Sequence, residues 1–480
     1  MSTAAERSGQ PARPGEAVLP GLEVSLWEQV LSPGNLGRAL RRVEANRGAP
    51  GADGMTTGEL RPWLHEHWAQ VRAALDAGTY QPSPVRRVVI PKPGGGERLL
   101  GVPTCLDRLV QQAIAQVLTP IFDPQFSPSS FGFRPGRSAH QAVQAARACI
   151  QDGREWVVDI DLDRFFDRVQ FDALMARVAR KVDDRRILRL IRSYLEAGVM
   201  VDGIRQPTAE GTPQGSPLSP ILSNIMLDDL DRELGKRGHR FVRYADDLRV
   251  FVRSERAAQR VFESVCGVIE RRLKLKVNRE KSSIRHAAQA TLLGFGFFFD
   301  GPRVGIRIAP KAIARLKDQL RMLTRRRWSV SMEYRISRLN RLITGWMAYF
   351  RLAQRVSVLG RLDGWLRRRL RQIRWKEWKT TAAKRHNLRI RGISETEARK
   401  WAGVSRRYWR VAGSQILQVS LPSSYWTRLG LKTLSQTWQR QPSGLTNRRM
   451  RTRMSGGVRG GGATPPPTRF FQISPPRVTT

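Results

Sequence analysis

Apolar positions repeat with a helical period over long parts of the chain, and in a few shorter stretches they alternate or run together as strands do. Leu106, Leu109, Val110, Ala113, Val117 and Ile121 share one face, which predicts a core-facing helix over 106–122. The same period predicts helices over 27–44, 60–75, 140–150, 170–197, 221–234 and 257–273. A β-branched run at 86–91, a glycine-rich tip and a second apolar run ending at Pro103 predict a hairpin. Trp156 to Leu162 predicts a strand with Val158, Ile160 and Leu162 on one side, and Val157, Asp159 and Asp161 on the other. Phe241 to Val252 predicts a second hairpin, its turn carrying Asp246 and Asp247, and Leu292 to Phe299 is an apolar β-like run.

The pattern changes after residue 312. Ile313, Leu316, Leu320 and Leu323, then Ile336, Leu339, Ile343, Trp346, Met347 and Phe350, mark amphipathic helices. Their other faces are crowded with arginine, as in Arg325-Arg326-Arg327 and Arg367-Arg368-Arg369, with Trp365, Trp375 and Trp378 interleaved. Residues 379–438 read as a further small basic module. Pro, Gly, Ala and Ser enrichment predicts disorder over 1–24 and 439–480.

Charge turns this pattern toward a polyanionic partner. Lys and Arg total 84 against 41 Asp and Glu, a formal net charge of +43 in 480 residues. A compact chain with that excess repels itself unless a polyanion neutralises it, so nucleic acid is the first candidate. Basic helices with interleaved aromatics suit structured RNA, where phosphate contacts and base stacking act together. The three cysteines are widely separated, which argues against a disulfide framework or a cysteine-based zinc site. No apolar run reaches the length of a membrane span, and Met1 to Gly21 lacks the apolar core of a secretory signal. The expected setting is reducing and cytoplasmic, with no membrane partner.

Acids on two different strands change the picture again. Two adjacent carboxylates at a turn and another on a strand are costly together unless a cation lies between them. Two-metal nucleotidyl transfer needs this donor set, since two Mg²⁺ ions ~3.5–4 Å apart activate a 3′-hydroxyl and stabilise the leaving group. The basic hairpin with Lys92 and Arg98 at its tip suits a triphosphate. Asp228, Asp229, Asp231 and Glu233, on the predicted helix 221–234, are expected to form a solvated face.

The ordered blocks resemble one family. Tyr244-Ala245-Asp246-Asp247 is similar to the reverse-transcriptase signature, and the surrounding blocks resemble bacterial group II intron-encoded reverse transcriptase/maturases. The strongest pieces are Asn46 to Met55, Ile90 to Arg108, Ser130 to Ala142, Asp161 to Val169, Gly211 to Asn224, Asn278 to Ser282, Leu293-Gly294-Phe295 and Leu339 to Trp378. The resemblance implies an α+β right-hand polymerase with fingers, an antiparallel-sheet palm and an α-helical thumb/maturase domain. Its bounds would be 25–305 for fingers and palm, 306–378 for the helical domain, and 379–438 for a small DNA-binding-like region. Asp161, Asp246 and Asp247 are then the catalytic acids, with the Leu162 carbonyl as a further ligand for two Mg²⁺ ions or, in their place, Mn²⁺. Asp159 and Asp163 remain alternatives to Asp161 on the strand reading. Lys92, Arg98, Gln214, Gly215 and Lys281 would surround the incoming dNTP and template, and Phe166 falls at the steric gate against a 2′-OH. Arg325, Arg326, Arg327, Arg367, Arg368, Arg369 and Trp375 are RNA-binding candidates.

The implied function is RNA-directed DNA polymerisation by a protein that also binds its host intron RNA to promote splicing. Target DNA, a DNA primer and dNTPs are the further partners, and retrohoming by target-primed reverse transcription is the element's cycle. The expected location is the bacterial cytoplasm at the nucleoid. There is no cysteine after Cys266 and only His386 beyond His286, so the resemblance points to the compact kind that lacks an endonuclease domain. Two alternatives stay open: a reverse transcriptase of a diversity-generating, retron or defence system, and a maturase with splicing function only.

Overall fold

The computed structural model describes residues 24–91, 97–201, 204–206, 215–404 and 407–440. Lys92 and Gln214 lie outside them, as do the segments 1–23 and 441–480, and of Arg98 only the backbone is described. Strands in chain order are β1 (Val85–Pro91), β2 (Glu97–Val102), β3 (Trp156–Ile160), β4 (Val199–Val201), β5 (Ile204–Gln206), β6 (Arg240–Tyr244), β7 (Asp247–Val252), β8 (Ser283–His286), β9 (Thr291–Leu292), β10 (Phe295–Asp300) and β11 (Arg303–Ile308). The chain divides into two compact units, residues 1–125 with 164–227, and residues 126–163 with 228–480.

The first unit is helical around one small sheet of order β2-β1-β4-β5. The expected basic hairpin is β1 and β2, paired antiparallel from Arg86 opposite Val102 to Pro91 opposite Glu97. Helix Cys105–Phe122 carries the predicted apolar face, and Thr104 caps it by accepting from Asp107 N–H. The helical reading of 170–197 corresponds to two helices, Phe171–Val178 and Arg185–Glu196. Asp184 caps the second of these, so a cap residue inside the periodic stretch restarts the helix. The pair β4 and β5 follows, in a stretch where periodicity predicted no strand.

The second unit is built on a four-stranded antiparallel sheet of order β6-β7-β3-β8. Helix Glu255–Arg272 packs against β3, and helix Ala139–Gln151 lies against β6 and β11. A three-stranded sheet, β11-β10-β9, leads to helices Pro310–Leu323, Met332–Phe350 and Ser357–Glu377. Phe295 of β10 meets Phe350 with ring centroids 5.0 Å apart, and Trp346 meets the same ring at 4.5 Å. Such pairs add to the burial that joins sheet and helices.

One hydrophobic cluster runs from Phe131 and Ala142 through the thumb helices to Leu417, Trp426 and Leu434. Residues 379–438, expected as a further module, therefore share the core of the helices before them. Asp363 ties the two together, accepting from the backbone N–H of Leu434 at 2.8 Å and of Ser435 at 3.0 Å. Among the described residues no helix is long and apolar enough to cross a membrane.

Candidate functional site

Strands β6 and β7 close their ladder with Tyr244 opposite Asp247. The turn between them is therefore only Ala245-Asp246, and Asp247 is the first residue of β7 rather than a turn residue as the sequence suggested. Ala245 has a φ of 59°, a left-handed conformation that costs a β-carbon-bearing residue roughly 1–2 kcal/mol. Such strain persists only where the surroundings hold it.

Those surroundings come from two places. Arg243, 1% exposed, donates from one terminal nitrogen to the Ala245 carbonyl at 2.9 Å. Its Nε and other terminal nitrogen grip Asp231 bidentately at 2.8 and 2.5 Å. Asp231 is thus buried and structural, which corrects its reading as part of a solvated face. Asp228 and Glu233 do pair with exposed arginines, at 2.6 and 2.7 Å. Helical spacing alone could not separate Asp231 from its neighbours, because its partner sits on β6.

The second support is the Phe131-Gly132-Phe133 stretch. Phe131 N–H donates to the Arg243 carbonyl, and Arg243 N–H to the Ser129 carbonyl, each at 2.9 Å. A β-carbon on Gly132 would lie 2.2 Å from Ala245 N, so glycine is required for the turn to seat there. Phe133 follows with a φ of 59° and its side chain 54% exposed. The sequence marked these glycines for close approach but not what they approach.

Strand β3 stops at Ile160, one residue before Asp161 and short of the expected Leu162. Leu162 instead bridges Val277. The chain around Asp161 is held by the Asn-Arg-Glu-Lys-Ser turn. Asp161 N–H donates to Ser282 Oγ at 3.0 Å, and its carbonyl accepts from Asn278 N–H at 2.8 Å. Ser282 Oγ also donates to the Asn278 carbonyl at 2.8 Å, which locks the turn. Ser282 is a positioning residue that the sequence did not single out.

The β3–β7 register pairs Asp159 with Arg249 and Ile160 with Leu248. Continued one step, it sets Asp161 opposite Asp247, beside Asp246. Burial raises the Asp161 carboxyl above its ordinary range, Lys281 opposes this, and Asp246 and Asp159 add to it. Asp246 and Lys281 thus both act on Asp161 at one end of the sheet. Asp159 faces Arg249 instead, at 3.1 Å, and burial raises its carboxyl against that pairing. Arg249 also ion-pairs with Asp247. Burial pulls the guanidinium of Arg249 down from its usual range.

This donor set fits a hard divalent cation. A carboxylate whose proton affinity is raised by burial and by a neighbouring carboxylate is relieved by a positive charge beside it. Among the described residues no three His, Cys, Asp or Glu side chains gather into one cluster.

The other site candidates divide between the two units. In the first, Phe166 is half-buried on the short turn Phe165–Asp167, its ring edge-on to Phe165 at 5.1 Å. Gly215 has a φ of 121°, and a β-carbon there would lie 3.0 Å from the Gly101 carbonyl on β2. In the second, Arg325, Arg326 and Arg327 occupy the loop after helix Pro310–Leu323, not a helix face. Buried Arg335 donates to the carbonyls of Leu323 and Trp328 at 2.6 and 2.7 Å, and Lys376 to that of Arg326 at 3.0 Å. The loop backbone is fastened from below and its three arginines stand exposed. Arg369 is spent internally, with Nε on Thr324 Oγ1 at 2.5 Å. Trp375 is 0% exposed, so it cannot stack on a base; it is a core residue. Arginine-rich surroundings hid this, because the helix buries one stripe whatever the charge of the other.

A reverse transcriptase (RNA-dependent DNA polymerase) family model matches residues 90–297, and a group II intron, maturase-specific domain matches residues 313–392. Protein YkfC of Escherichia coli K12 is 33% identical over 326 residues, 59% of this chain and 84% of that protein. The group II intron-encoded protein LtrA of Lactococcus lactis subsp. cremoris is 28% identical over 336 residues, 56% of each chain. An uncharacterised 91 kDa protein in the cob intron of Schizosaccharomyces pombe is 39% identical over 158 residues, 33% of this chain and 20% of that one. A solved partial Cas6-RT-Cas1–Cas2 complex aligns with 52% of this chain and 43% of its own at 27% identity and a TM-score of 0.33.

Proposed function

This chain belongs to the group II intron reverse transcriptase/maturases, and we propose that it copies its host intron RNA into DNA at the carboxylate end of the β6-β7-β3-β8 sheet. The observation that carries this reading is that Asp161, just past β3, and Asp246, in the β6–β7 turn, come to one end of that sheet, where Asp246 helps raise the Asp161 carboxyl.

Reverse transcriptase domains use divalent metal ions. Here Asp161 and Asp246 would hold two Mg²⁺ ions, with Asp247 and the Leu162 carbonyl as further oxygen donors. When bound, such ions activate the primer 3′-hydroxyl and neutralise charge on the leaving pyrophosphate. The chain's own contribution is placement. Ser282 and Asn278 hold Asp161 by its backbone. Arg243 and Gly132 hold Asp246 through the Ala245 turn. Arg249 pairs with both Asp159 and Asp247 and so fixes their orientation. Lys92, Arg98, Gln214 and Gly215 would grip the triphosphate and template, and Phe166 would exclude a 2′-OH.

The helical region from 306 on supplies the maturase half. Its exposed Arg325-Arg326-Arg327 loop offers three guanidiniums to intron RNA phosphates, and residues 379–438 would contact target DNA during retrohoming. The location consistent with these partners is the bacterial nucleoid.

Primer extension on a DNA-primed RNA template tests the assignment. Asp246→Ala is expected to abolish Mg²⁺-dependent dNTP incorporation while RNA binding stays at the wild-type level. Unchanged incorporation would remove Asp246 from the site.

A further inference from the structure

Helix Ser357–Glu377 sets Arg367, Arg368 and Arg371 along one side, and across from them stand Gly413, Gln418 and Ser423. Together they line a cavity of about 410 Å³. No carboxylate lines it, and none of the three arginines forms an ion pair among the described residues. The acid nearest in sequence, Asp363, is committed to the backbone N–H groups of Leu434 and Ser435 and to Ser435 Oγ.

Two of the arginines, Arg368 and Arg371, are placed rather than loose. Arg371 is 8% exposed, with Nε donating to the Leu421 carbonyl at 3.2 Å. Burial, reinforced by the neighbouring charge of Arg367, pulls its pKa down to about 10. Arg368 lies over the Trp409 ring at 4.2 Å and donates to the Trp409 carbonyl at 2.9 Å. Gly413 makes room for it, since a β-carbon there would lie 2.7 Å from the Arg368 guanidinium carbon.

A buried cation without a counter-ion is costly, and like-charged neighbours add to that cost. Guanidiniums fixed around a concave space match the oxygens of a phosphate group. We propose that this cavity seats one phosphodiester group of bound nucleic acid, with RNA as the source. This rests on the reading that the maturase half binds RNA, and it moves the contact from a diffuse basic face to one defined seat.

The test uses the full chain, with a labelled RNA hairpin and a DNA duplex of the same sequence titrated across a salt series. Ser423 is exposed, so Ser423→Asp places a carboxylate at the rim without disturbing the core. It should weaken RNA binding at least tenfold and reduce the salt slope by about one. It should also raise Tm, because it supplies the missing counter-ion, and a merely damaged fold would not do that. Arg371→Gln should weaken binding in the same direction. A larger loss with the hairpin assigns the phosphate to RNA, and a larger loss with the duplex assigns it to DNA. Wild-type affinity and slope in both variants overturn the seat while leaving RNA binding intact. Failure of the wild-type chain to bind the hairpin overturns the reading beneath it.

Discussion

Gly132 and Ala245 lie so close that a single β-carbon on the first would fall 2.2 Å from the backbone nitrogen of the second. The loop that carries Gly132 is tied to β6 just ahead of that contact, through Ser129 and Phe131 to Arg243. Gly132→Ala must therefore push the Ala245-Asp246 turn outward. A displacement of about 1 Å at reacting groups costs on the order of 10²-fold in rate. Primer extension should fall by that order, with affinity for RNA unchanged.

Asp231 and Arg243 form a fully buried pair, with side chains 0% and 1% exposed. Asp231→Asn leaves the guanidinium uncompensated, and removing one partner of such a pair costs about 3–5 kcal/mol. Denaturant unfolding should show that loss. Leu→Ala changes on the exposed surface would not, and Asp228→Asn, whose partner is exposed, should cost about 0–1 kcal/mol.

His140 Nε2–H donates to the Tyr349 carbonyl at 2.6 Å, joining helix Ala139–Gln151 to helix Met332–Phe350. Burial lowers its pKa, the Tyr349 carbonyl opposes that shift, and Arg351 adds to it. A base whose folded pKa is depressed takes up its proton more readily when unfolded. Stability therefore drops as pH falls through about 6.5 toward the lower folded value. In His140→Gln this part of the pH dependence should disappear from thermal unfolding curves recorded between neutral and mildly acidic pH.

Trp375 is wholly buried, whereas Arg325, Arg326 and Arg327 are exposed. Trp375→Ala should destabilise the fold by about 3–5 kcal/mol and change RNA affinity only through unfolding. Replacing the three arginines by glutamine should do the reverse. RNA binding would weaken and its salt slope fall by about two to three, with Tm retained.

Phe166 is proposed to sense the sugar of the incoming nucleotide. Phe166→Ala should then raise rNTP use relative to dNTP use by on the order of 10- to 100-fold. Single-nucleotide incorporation at matched concentrations measures the ratio, and an unchanged ratio would remove Phe166 from that role.

Much of this protein was legible in its sequence because the signals were local. Periodicity placed the helix at 106–122, both hairpins and the thumb helices, and the order of the acidic and basic blocks carried the family. Local signals also marked the Asp246-Asp247 turn and the acids of 159–163, and the resemblance to the family chose Asp161 among these. What they could not supply was anything set by a partner far along the chain. Asp231 looked like its solvated neighbours until β6 brought Arg243 beside it. Trp375 looked like a base-stacking aromatic until the fold buried it in the shared core, with Lys384 of helix Thr381–Arg389 over its ring. Ser282, some 120 residues from Asp161, holds that acid only because β8 pairs with β3. Sequence encodes which side chains are available and which face each element buries. Which carboxylate meets a cation, and which meets an arginine, is decided by the register of strands and the packing of helices, and those are long-range contacts.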